Sequence, residues 1–168
     1  MFLNQLKDDS KKAFLDLALI CAKADENLDD KEAEILEIYC NEMGIDKPTK
    51  TYKADYIVDS YENDPKKYYS EVEEIVAKIE REPRDSIIIL FELFIMIHAD
   101  NLVDNVERDI INRLKKLIAN NWNYKKYQII NLSVLENSAR ALAAQMDMLK
   151  QIELTAQMTE LELIQKDI

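Results

Sequence analysis

Two short acidic stretches hold the residues best suited to chemistry. Ala24-Asp25-Glu26-Asn27-Leu28-Asp29-Asp30-Lys31-Glu32-Ala33-Glu34-Ile35 aligns without a gap on Ala99-Asp100-Asn101-Leu102-Val103-Asp104-Asn105-Val106-Glu107-Arg108-Asp109-Ile110. Both read A-D-x-x-[LV]-D-x-x-E-x-[ED]-I. Each copy offers three carboxylates, Asp25, Asp29 and Glu32 in the first and Asp100, Asp104 and Glu107 in the second. Three converging carboxylates suit a hard divalent cation such as Ca²⁺, Mg²⁺ or Mn²⁺, which takes oxygen ligands. The same residues also suit a helix start. Asp29 and Asp104 can act as N-caps, Glu32 and Glu107 can close capping boxes three positions on, and Asp25 and Asp100 are drawn to the positive end of the helix dipole. Spacing leaves both uses open. It does exclude an EF-hand starting at Asp25, because the sixth position is Asp30 rather than glycine and the twelfth is Leu36 rather than glutamate.

Other reactive side chains are sparse. His98, the only histidine, directly precedes the second stretch, so it can add a nitrogen ligand there or sit at a helix end favoured by the dipole. There is no nucleophile motif, no Gly-rich phosphate loop and no HExxH, so an enzyme is not expected. Cys21 and Cys40 lack metal-ligand spacing and fall on apolar helix faces, as reduced buried thiols do. Tyr52, Tyr56, Tyr61, Tyr68 and Tyr69 either line a groove or lie at the core edge with their hydroxyls in water.

The elements that must position these residues read as helices. One glycine and three prolines leave little material for the turns of a many-stranded sheet, and Leu, Ile, Glu, Lys and Ala favour helix. The expectation is an all-α fold of about seven helices. A first helix, capped by Ser10, runs to about Ala24 with Phe14, Leu17, Ala18 and Cys21 on one stripe. A second starts at Asp29 and stops at Gly44. A third spans about Lys53 to Tyr61, and Asp64 with Pro65 opens a fourth that ends before Pro83. The apolar run Ile87 to Ile97, interrupted by Glu92, reads as a central buried helix ending near Ala99. A sixth helix runs from Asp104 to about Ala119. Ser133 and Glu136 form a capping box for one long last helix, with Leu135, Ala139, Leu142, Met146, Leu149 and Ile152 at coiled-coil-like spacing. Its first half is expected to pack on the domain and its second half to project, pair with another subunit or fray. Residues 1–132 thus form the domain and 133–168 the C-terminal helix.

Each acidic stretch lies between two of these helices, so the chain holds two similar helical hairpins, expected to pack about a pseudo-twofold axis. The 168 residues suit one domain with a core of its own. A net charge of −11 opposes nucleic-acid binding and suits cations or basic partners. The basic, aromatic segment Lys115, Lys116, Trp122, Tyr124, Lys125, Lys126 and Tyr127 reads as a solvated helix end with buried rings. The most apolar stretch is too short to span a bilayer, and the first residues lack the pattern of a signal peptide. A cytoplasmic location is expected.

ALICAKADENLDDKEAEILEIYCNEMGI and FELFIMIHADNLVDNVERDIINRLKKLI together resemble the two halves of a tellurite-resistance TerB-like domain. The likeness covers roughly residues 10 to 120 and rests on that family's A-D-G-x-[IV]-x-x-x-E signature. It implies a duplicated helical fold and an acidic site for a divalent metal at Asp25, Asp29, Glu32, Asp100, Asp104 and Glu107. It also implies a stress-response role beside a protein partner, in some members membrane-associated. The family's glycine is replaced by Glu26 in the first loop and Asn101 in the second. Asn accepts a left-handed backbone more readily than Glu, so the first loop departs further from the pattern.

Overall fold

The computed structural model describes residues 2–24, 30–46, 52–99, 103–120 and 132–166, with side chains for 2–22, 37–46, 57–99, 103–119 and 132–166. Among these residues the chain is all-α. A single 3-10 turn (Leu3–Gln5) precedes α1 (Asp8–Ala24), α2 (Asp30–Met43), α3 (Tyr52–Asn63), α4 (Pro65–Ala77), α5 (Pro83–His98), α6 (Asn105–Asn120) and α7 (Leu132–Lys166).

Local chemistry explains most of the boundaries. At the end of α2, Gly44 takes φ 65°, the Ile45 N–H donates to the Cys40 carbonyl at 3.0 Å and the Gly44 N–H to Asn41 at 3.2 Å. These two bonds make a Schellman motif, which places the chain's only glycine where a left-handed residue is required. Asp64 caps α4 by accepting from the Lys67 N–H, with Pro65 as first helical residue. Ser10 is not the cap of α1. That helix starts at Asp8, and the buried Ser10 hydroxyl has no hydrogen-bond partner among the described residues.

Two helices organise the packing. α1 lies against α2, α3, α4, α5 and α6, and α5 lies against α1, α6, α7 and the 3-10 turn. Phe14, Leu17, Ala18 and Cys21 are all buried, as the stripe on α1 requires. α5 is apolar nearly all round, and Ile89, Leu90, Leu93, Phe94 and Ile97 fill the centre. Glu92 is buried with them because its carboxylate accepts the Phe2 N–H at 2.6 Å. Glu42 of α2 takes the Leu3 N–H at 3.1 Å, and Asp85 of α5 takes the Lys7 N–H at 3.1 Å. The first residues are thus tied to both helices by charge-assisted bonds.

The repeat survives in the helix starts, Asp30 for α2 and Asn105 for α6, each the residue after the second aspartate of its copy. Among the described residues α1 rests directly on α6, and the 3-10 turn, with Leu3 buried, touches both α2 and α5.

Candidate functional site

The described end of the second acidic stretch, from Val103 onward, forms a helix cap. Asp104 Oδ1 accepts the Val106 N–H at 2.8 Å, and Glu107 Oε2 reaches back to the Asp104 N–H at 2.9 Å. Asp104 thus caps α6 at the N2 position and Glu107 supplies the return half of a capping box, so orphan donors at the start of α6 are satisfied. Glu107 is buried, and both carboxylates act on Cys21 at the end of α1. Burial pushes the Cys21 thiol well up, and the charges of Glu107 and Asp104 push it the same way, so it stays protonated and unreactive. Cys21 and Cys40 are both buried free thiols, as expected.

Asp25, Asp29 and Asp100 lie outside the described residues, and Glu32 falls in the first turn of α2, where side chains are not described. Among the described residues, no three His, Cys, Asp or Glu side chains are grouped as a metal site.

His98 faces α7. Its ring stacks on Phe94 with centroids 6.2 Å apart, and its Nε2 lies 3.5 Å from Glu136 Oε1, too poorly aligned for a hydrogen bond. Glu136 also meets Lys115 Nζ of α6 at 3.1 Å and Arg140 at 3.6 Å. Burial pushes the Glu136 carboxyl up, but Lys115, His98 and Arg140 outweigh it and hold the group below its usual range. The expected box at the start of α7 therefore fails. α7 begins before Ser133, and Glu136 serves as the polar node joining α5, α6 and α7. Lys115 is also drawn in, 5.3 Å above the Phe94 ring, so it is not part of an open basic patch. Trp122, Tyr124, Lys125, Lys126 and Tyr127 lie outside the described residues.

A second node binds α4 to α6. Tyr68 is fully buried, and its hydroxyl donates to Asp109 Oδ2 at 2.9 Å. Arg113 donates to the same oxygen at 2.8 Å and to Glu73 at 3.1 Å, and stands 4.6 Å above the Tyr69 ring. Burial and the Asp109 charge push the Tyr68 hydroxyl far above its usual range. Tyr68 is therefore a core residue, and its hydroxyl bonds to protein. Tyr61 packs edge-on against it and Tyr69 is exposed, while the side chains of Tyr52 and Tyr56 lie outside the described set. The i, i+4 spacing of Asp109 and Arg113 could have revealed their pairing, but no local signal points to Tyr68.

The last candidate surface is α7. Ala139 and Ala143 are its buried residues, so the helix approaches α5 closely over small side chains. Every residue from Ala144 to Lys166 is exposed. The domain-facing stripe through Leu135, Ala139, Leu142 and Met146 would continue at helical spacing onto Lys150, Glu153, Gln157 and Glu160, which are polar. At about 100° per residue, Leu149, Ile152, Ala156 and Leu163 fall on one side and Leu154, Met158 and Leu161 on the other. Leu149 and Ile152, expected on the packing stripe, are each 60% exposed. No described helix is long and apolar enough to cross a membrane. Comparison with family models, curated proteins and solved structures found no match for the chain.

Proposed function

We propose that this chain is an interaction module, in which the helical domain holds out the distal half of α7 for another helix to pack on. The carrying observation is the exposure of Met148, Leu149, Ile152, Leu154, Met158, Leu161, Leu163 and Ile164, each between 58% and 62%. Exposed apolar side chains in that number along one helix mark an interaction surface. The domain's part is to fix α7 in place, through Ala139 and Ala143 against α5 and through Glu136 against His98 and Lys115. Truncation after Met146 tests this directly. The melting temperature of the domain is expected to stay unchanged, since no described residue beyond Met146 is buried. A clear fall would mean that the distal segment folds back on the domain, and the proposal would be lost.

A second reading keeps the TerB-like resemblance: a divalent cation, Ca²⁺, Mg²⁺ or Mn²⁺, held at the acidic loops of a stress-response protein. Its support is the repeat, which starts α2 and α6 at matching positions just after the two loops. Chelator-treated protein titrated with each ion should then melt at a higher temperature, saturably, for one of them, and Asp104→Ala should abolish the rise. Without metal, Asp104→Ala should still cost about 1 kcal/mol through the lost cap. If none of the three ions shifts the melt, the carboxylates cap helices and nothing more.

A further inference from the structure

The sulfur-bearing side chains divide between the core and α7. Cys21 and Cys40 are buried free thiols, and Met43 is buried as they are. Met96, on α5, is partly buried against the core. Met146, Met148 and Met158 stand on α7, the first 43% exposed and the other two 62% each. Among the described residues, the exposed sulfur-bearing side chains are therefore thioethers on the helix that leaves the domain. Their places are those of the apolar rows. Met148 stands one turn before Ile152, and the two line one groove with Ala156. Met158 lies between Leu154 and Leu161, four residues after the first and three before the second, on the other row.

We propose that Met148 and Met158 are reversible oxidation sites through which hydrogen peroxide switches the distal surface of α7 from apolar to polar. The proposal rests on the interaction reading above and names how that surface is regulated. The thioether sulfur attacks one peroxide oxygen, so that an S–O bond forms and the O–O bond breaks. Sulfur gives up two electrons, and the hydroxide released takes the proton of the transferred oxygen and leaves as water. Each sulfoxide sets a polar group where a flexible apolar side chain stood, one on each row. Both residues lie beyond Ala143, the last buried residue of α7, so the change alters the surface without unpacking the core. The core that leaves α7 bare also shields Cys21, Cys40 and Met43, which confines mild oxidation to the helix. Sulfoxide reductases return the thioether, so the surface can be restored.

The test treats the full chain with hydrogen peroxide, digests it and weighs each peptide. Met148 and Met158 should each gain one oxygen atom first, Met146 next and Met43 last. The intact oxidised chain should elute earlier than the untreated chain from a butyl matrix, which reads exposed apolar surface, with its melting temperature unchanged. Methionine sulfoxide reductases of both stereospecificities, with dithiothreitol, should restore the original elution. Met146→Leu, Met148→Leu and Met158→Leu combined keep the rows apolar and should make elution indifferent to peroxide. Oxidation that reaches Met43 as early as Met148, a lowered melt of the oxidised chain, or an elution shift that persists in the triple variant overturns the proposal. So does an elution that stays put once Met148 and Met158 are oxidised. If that elution stays put while truncation after Met146 leaves the melt unchanged, the interaction reading stands without this control. A lowered melt on truncation removes both.

Discussion

Asp109→Ala is expected to lower the free energy of unfolding by about 3 kcal/mol, far beyond an ordinary surface substitution. The carboxylate has two jobs at one oxygen, accepting from the fully buried Tyr68 hydroxyl and from Arg113. Its removal strands a buried donor, which alone costs about 1–3 kcal/mol. Among the described residues it also leaves Arg113 with the exposed Glu73 as its ionic partner, a smaller loss because Arg113 retains some contact with water. Tyr68→Phe should cost about 1 kcal/mol, since donor and ring-edge polarity leave together while the packing stays. In the double variant Asp109→Ala with Tyr68→Phe, the penalty for the stranded hydroxyl disappears. Urea unfolding of the single and double variants should therefore show strong non-additivity. Additive effects would mean that the hydroxyl draws little from Asp109.

Phe94→Ala should destabilise the chain by about 4 kcal/mol and loosen α7 first. The ring is buried at the centre of α5, so truncation leaves a cavity that rigid neighbours cannot close. It also supports the side chains that fasten the long helix. His98 stacks on one part of the ring, Lys115 stands over it, and both reach Glu136. Hydrogen exchange should report this as lost protection in residues 132–143 of α7, in excess of the loss in α1. Equal loss in both helices would assign Phe94 a general core role with no special hold on α7.

The local vocabulary of the sequence foretold much of this molecule. The apolar stripe of α1, the Gly44 stop, the Asp64-Pro65 start and the start of α6 just after Asp104 each depend on neighbours within about one helical turn. The Asp104–Glu107 box is of the same kind, a bond between residues three apart. Where local signals competed, they misled. Ser10 and Ser133 both look like caps, but Ser10 is buried inside α1, and Glu136 is taken up by a lysine 21 residues earlier in the chain.

What tertiary structure decided has one physical cause: these contacts join residues that no helical period brings together. The Phe2 N–H meets Glu92 across 90 residues, which turns an apparent break in an apolar helix into a satisfied buried carboxylate. Tyr68 meets Asp109 across 41 residues, which changes a candidate groove lining into core. The fate of α7 was decided in the same way. Its apolar residues are plain in the sequence, but only the geometry of α5 shows that packing ends at Ala143 and that the rows beyond it are open.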